Sequence, residues 1–103
     1  MSADEVFLAL SNPIRRHLLE LLASDSTTAG ELAGQFELSR PAVAEPLQVL
    51  RKAGLVRDVP SGRQRRYFLV AAPLAEVGEW LHPFERFWRD RLGAPAALAE
   101  EIE

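Results

Sequence analysis

The stretch that decides the fold runs from Thr28 to Leu55, TAGELAGQFELSRPAVAEPLQVLRKAGL. Thr28 and Glu31 stand at the spacing of a capping box, which predicts a helix start there. Leu32, Ala33 and Phe36 give that helix an apolar stripe. Glu37-Leu38 forms the connection. Ser39 is a good N-cap for a second helix, and Pro41 is tolerated in its first turn. Val43, Leu47 and Leu50 then face inward, and Gly54 ends the helix.

Beyond Gly54 the pattern changes from helix to strand. Leu55-Val56-Arg57 begins an extended run, and Pro60-Ser61-Gly62 reads as a turn. Arg65-Arg66-Tyr67-Phe68-Leu69-Val70, β-branched and aromatic, reads as a second strand. Two short helices joined by a turn make a helix-turn-helix, whose second helix enters a DNA major groove. A following hairpin with a basic tip makes it a winged helix. The expected fold is mainly α with a small β-hairpin.

At this point the chain resembles the ArsR-type bacterial repressors. The resemblance rests on Leu8-Ala9-Leu10-Ser11-Asn12-Pro13-Ile14-Arg15-Arg16, on Glu31-Leu32-Ala33 and on Leu38-Ser39-Arg40-Pro41-Ala42-Val43. It continues through Leu47-Gln48-Val49-Leu50-Arg51-Lys52-Ala53-Gly54-Leu55-Val56 and Gly62-Arg63-Gln64-Arg65-Arg66-Tyr67. Each motif is weak alone; their order and spacing carry the likeness over residues 5–92, nearly the whole chain. It implies a repressor that binds a palindromic operator on double-stranded DNA as a homodimer.

The remaining composition fits one small domain of 103 residues, divided into a winged-helix and dimerisation domain over 1–92 and an acidic tail over 93–103. There are no cysteines, so disulfides, thiolate metal sites and thiol redox switches are excluded. No apolar run approaches the roughly 18 residues of a membrane helix. The start, MSADEVFLAL, is acidic and lacks the basic region of a signal peptide. A cytoplasmic protein is expected. There is no Gly-rich phosphate loop, no HExxH and no nucleophile elbow, so neither an enzyme nor a cofactor is expected.

The formal net charge is -3, which alone argues against a nucleic-acid partner. Its distribution reverses that. Between Ser39 and Tyr67 the chain carries Arg40, Arg51, Lys52, Arg57, Arg63, Arg65 and Arg66 against Glu45 and Asp58, a local charge of +5. The rest therefore carries -8. Affinity for phosphate follows the local field, not the total. The expected DNA-contacting set is Ser39, Arg40, Pro41, Ala42, Ala44, Glu45, Gln48, Arg51 and Lys52 on the second helix, with Arg63, Arg65 and Arg66 on the hairpin.

Steps of about 100° per residue put Pro41, Ala44, Glu45, Gln48 and Lys52 opposite the buried face of that helix. Pro46 falls at the margin and should bend the helix there, because it lacks the amide that would bond the Ala42 carbonyl. Relatives usually carry a polar or basic pair where this chain has Glu45 and Pro46. Glu45 admits three readings: a carboxylate that accepts from a cytosine amino group, one that repels phosphate, or one paired with Gln48 or Lys52. The second reading leaves a winged-helix dimer with weakened DNA binding, acting through protein contacts.

Outside this unit, Asn12-Pro13 is an N-cap followed by a helix-starting proline. Ile14, Leu18, Leu21 and Leu22 should form the core face behind it, and His17, beside them, is either structural or a switch. Val6, Phe7 and Leu10 form a short preceding amphipathic segment. The last long helix should start near Pro73 or Leu74 and reach about Leu92, kinked at Pro83. Its stripe of Leu74, Val77, Leu81, Phe84, Trp88 and Leu92, widened by Trp80 and Phe87, exceeds what one face needs. The resemblance implies a dimer through the first and last helices, with Phe7, Leu10, Leu74, Val77, Leu81, Phe84 and Trp88 at the seam. Known relatives sense metals through cysteine clusters or through carboxylates and histidines on this last helix. Here Glu79, His82 and Glu85 are the only such spacing, and a solvated face is the reading preferred. No metal partner is expected, which places the chain in the metal-independent type, with a metal-responsive repressor as the lesser alternative.

Overall fold

Asn12 closes the first boundary of the molecule. Its side chain accepts from the Arg15 amide at 3.1 Å, capping a helix that opens with Pro13. The computed structural model describes residues 3–91. Leu92 and the tail expected over 93–103 lie outside the described residues. The elements are α1 (Ala3–Leu10), α2 (Pro13–Ser24), β1 (Thr27–Thr28), α3 (Ala29–Phe36), α4 (Arg40–Lys52), β2 (Val56–Ser61), β3 (Gln64–Leu69) and α5 (Leu74–Arg91).

Arginines of α2 bond the carbonyls at the end of α1, where Leu8 also accepts from the Ser11 amide and hydroxyl. Arg15 donates to Ala9 and Leu8, at 2.7 and 3.1 Å, and Arg16 donates to Leu10 at 2.8 Å. These two cations are therefore spent on joining α1 to α2. The caps of the helix-turn-helix also form, although the Glu31 carboxylate accepts from the Thr27 hydroxyl and does not close the expected box on Thr28. Thr28 Oγ1 accepts from the Glu31 amide at 3.2 Å and Ser39 Oγ from the Ala42 amide at 3.2 Å. Both helices end in the same pair of backbone bonds around a left-handed residue. In α3, Glu37 donates to Gly34 and Leu38 to Ala33; in α4, Gly54 donates to Arg51 and Leu55 to Leu50. The left-handed residue is Gly54 (φ 79°) in one case and Glu37 (φ 57°) in the other.

One hydrophobic cluster holds these elements together. Val6 and Ala9 of α1, Leu18, Leu19 and Leu22 of α2, and Leu32 and Ala33 of α3 meet Val43, Leu47 and Leu50 of α4, with Leu55 and Val56 beyond. Removing about 25 cal/mol of unfavourable exposure per Å² of apolar surface makes such a cluster the main source of stability. The core face of α2 is rotated from that expected. Leu19 is buried, Leu21 is half-buried, and Ile14 is 38% exposed, with Arg15 and Arg16 on the side of α2 that bonds α1. His17 is exposed and sets its ring edge-on to Phe36, with centroids 4.7 Å apart.

The hairpin is longer than its sequence suggested. β2 and β3 pair antiparallel from Val56↔Leu69 to Ser61↔Gln64, so Pro60 and Ser61 belong to the strand and the turn is Gly62-Arg63. Gly62 supplies the positive φ, 64°, that a two-residue hairpin turn demands. Pro60 is tolerated because β2 lies at the sheet edge, the strand order being β1-β3-β2. β1, unanticipated, pairs Thr27 with Tyr67 and Thr28 with Arg66. It ties the start of α3 to the hairpin. The helical assignments of α4 and α5 run unbroken through Pro46 and Pro83. Among the described residues no helix is long and apolar enough to cross a membrane.

Candidate nucleic-acid interface

α4 buries Val43, Leu47 and Leu50 against the core. That leaves Pro41, Ala42, Ala44, Glu45, Gln48, Arg51 and Lys52 exposed, with Pro46 half-buried at the margin. Ser39, expected among the contact residues, serves as the cap of this helix. Ala42, whose carbonyl loses its partner to Pro46, is exposed, so water can bond that oxygen. Glu45 stands in the middle of the outward face. It has neither ion-pair nor hydrogen-bond partner among the described residues, so pairing with Gln48 or Lys52 does not occur here.

The cations divide into committed and uncommitted groups. Arg66 is half-buried and donates twice to Ser26, to Oγ at 2.8 Å and to the carbonyl at 2.9 Å. It anchors the hairpin to the loop before α3, with two of its five donors engaged there. Arg65 Nε donates to Asp58 Oδ2 at 2.5 Å, and Arg51 Nη1 lies 3.4 Å from Asp58 Oδ1. The hydrogen bond from Arg65, aided by Arg51 and opposed by burial, holds the Asp58 carboxyl below the usual carboxylate range. Arg57 lies over the Phe68 ring, 4.4 Å from its centroid.

Arg63, exposed at the turn, and Arg40, exposed at the start of α4, remain open. Arg40 folds back over the first turn of α3. A Cβ added to Gly30 would stand 3.0 Å from Arg40 Nη2, so the absence of a side chain there gives the guanidinium its seat. Arg40, Arg63 and Arg65 line one shallow cleft of about 170 Å³ with Thr28, Gly30 and Gln64. Three cations from α4 and the wing thus converge beside the N-terminus of α3, an arrangement suited to phosphate oxygens.

A second surface is apolar. On α1 and α5, Phe7 meets Trp80 edge-on at 5.6 Å and Trp80 tilts against Phe84 at 5.0 Å. Trp80, Phe84 and Phe87 are about half exposed. Of the residues expected at the seam, Phe84 lies on this face, while Phe7, Leu81 and Trp88 are half-buried. Leu10, Leu74 and Val77 lean on the core of their own chain. Trp80 and Phe87, read in sequence only as widening the stripe, are among its most exposed members. Further along α5, His82 Nδ1 lies 3.6 Å from Glu85 Oε2, which also faces Arg89 at 3.9 Å. No group of three or more potential metal ligands gathers among the described residues.

Known proteins share both the sequence and this architecture. The family described as "Bacterial regulatory protein, arsR family" matches residues 12–58, from the cap of α2 into β2. The HTH-type transcriptional regulator Rv2034 of Mycobacterium tuberculosis is 39% identical over 99 residues, covering 96% of this chain and 90% of its own length. The transcriptional repressor SdpR of Bacillus subtilis is 33% identical over 81 residues, covering 79% and 90% respectively. The structure of an ArsR-like transcriptional regulator from Rhodococcus sp. RHA1 superposes with a TM-score of 0.70 at 34% identity, covering 98% of this chain and 92% of that one. With its winged helix and its full-length relatives, the chain is a DNA-binding transcriptional regulator, not an enzyme, and belongs to the ArsR family.

Proposed function

We propose that this regulator is a repressor that binds a palindromic operator as a homodimer. α4 lies in the major groove and the wing on the adjacent backbone. The observation that carries this reading is the exposed polar face of α4 set beside the Arg40–Arg63 cleft. In it Ala44, Glu45, Gln48 and Lys52 face base edges, and Arg40 and Arg63 take phosphates. The exposed aromatic face of α1 and α5 supplies the two-fold seam, which a palindromic site requires. The unit that does this is residues 1–92, with 93–103 an acidic tail, working in the cytoplasm without a metal.

The unpartnered Glu45 supports a second reading, a winged-helix dimer whose grip on DNA is weakened. Binding to a duplex from the chain's own upstream region and to a random duplex, titrated with salt, separates the two. A repressor prefers the upstream duplex at every salt concentration. A disabled reader binds both equally or neither.

A further inference from the structure

Asp58 is an acid planted within the most basic part of the chain. It stands on β2 opposite Tyr67, on the same strand face as Pro60 and its partner Arg65. A diagonal cross-strand neighbour is within reach of a long side chain, and Arg65 spans that gap. Arg51 arrives from the last turn of α4. The two oxygens of the carboxylate are thus divided, Oδ2 to the wing and Oδ1 to the reading helix. The Asp58 side chain is 8% exposed, whereas those of Arg51 and Arg65 are 48% and 52% exposed. The acid is sheltered under two cations whose outer faces meet solvent.

We propose that Asp58 is a specificity-determining residue, a clamp that pairs Arg51 of α4 with Arg65 of the wing and restrains both from indiscriminate phosphate binding. The proposal rests on the DNA-binding reading of the same surface. A guanidinium has five N–H donors, and one from each arginine is engaged here, so each keeps donors for a phosphate. The carboxylate does two things to those remaining donors. It cancels one of two like charges, lowering the attraction for any phosphate. It also fixes the two guanidinia relative to α4, so they meet phosphates only where the helix is seated in its groove. Random DNA feels mainly the lost charge. The operator benefits from the fixed geometry, because phosphate contacts position the reader while base contacts specify.

The test uses the full chain and two probes. One is a random-sequence duplex. The other is the tightest-binding duplex selected by the parent protein from a random pool. In Asp58→Asn the shape is kept and the charge removed. The variant should bind the random duplex several-fold more tightly. Its log affinity should also fall more steeply with log salt, by about 1 for each further phosphate that the freed arginines neutralise. Its preference for the selected duplex should shrink. Adding Arg51→Gln to Asp58→Asn should return the salt slope towards the parent's, and Asp58→Glu should preserve the parent's preference. If Asp58→Asn leaves slope and preference unchanged, or weakens both duplexes by one factor, the acid is merely structural and the clamp is overturned. Should the parent itself bind neither duplex at low salt, the DNA-binding reading falls and takes the clamp with it.

Discussion

Glu37 is the residue whose backbone is most at odds with its side chain. It occupies the left-handed position that ends α3, where Gly54 stands at the end of α4. A side chain in that conformation costs roughly 1–2 kcal/mol, which glycine avoids. Glu37→Gly should therefore stabilise the fold by about 1 kcal/mol, read as a raised urea midpoint at constant slope. Asp58 supplies a dependence on pH. Its carboxyl is held below the ordinary value by the bond from Arg65 and then by Arg51. A depressed carboxylate contributes stability above its unfolded value, and that contribution is lost as pH falls through the folded one. The wing amides should thus keep full exchange protection at neutral pH and lose part of it only on acidification below the usual carboxylate range; Asp58→Asn should abolish that acid step. Glu45→Gln is the corresponding test on α4. If the carboxylate accepts from a cytosine, the change weakens the selected duplex by about 1–3 kcal/mol and spares random DNA. If it only repels phosphate, every duplex is bound more tightly.

Among the helices and strands, α4 carries the feature most at odds with its surroundings, Pro46. The helix continues through it, but the bond to the Ala42 carbonyl is missing. Pro46→Ala should stabilise the protein, by up to about 3 kcal/mol, because it restores that bond and relieves the ring's crowding of the preceding turn. A chemical melt checks the direction. The elements themselves were largely legible in the sequence, because caps are local. Asn12, Thr28 and Ser39 each carry the side-chain oxygen that accepts a helix amide, and all three do so. What could not be read depends on partners distant in the chain. Two residues of β1 have no periodicity of their own, and only Tyr67 and Arg66 make them a strand. Pro60-Ser61-Gly62 resembles a turn until the register with β3 shows that the chain reverses one residue later. The basic residues posed the same difficulty. Arg63 and Arg66 look alike in sequence, yet one is open and the other is bonded to Ser26, forty positions away.

Across the molecule, two kinds of surface stand out. The polar face of α4 and the cationic cleft form one, and the aromatic face of α1 and α5 forms another. In the proposed dimer the aromatic face forms the seam and the polar face of α4 stays open to DNA. Because Phe84 is 47% exposed, replacing it should leave the monomer folded. Phe84→Glu should nevertheless dissociate the dimer, since an unpaired charge in a desolvated seam is costly. Sedimentation equilibrium at micromolar concentration should then show about twice the chain mass for the parent and a single mass for the variant. Loss of the dimer should also lower affinity for a two-fold site far more than for random DNA. That α4 and the wing together select a DNA sequence is decided by the affinity of the parent chain for its own upstream duplex against a random duplex, measured across a salt series. Preference for the upstream duplex should persist as both affinities fall with salt. Arg63→Ala should reduce the slope by about 1 for each phosphate that the wing no longer neutralises. Equal binding of the two duplexes at low salt would contradict sequence selection by this surface.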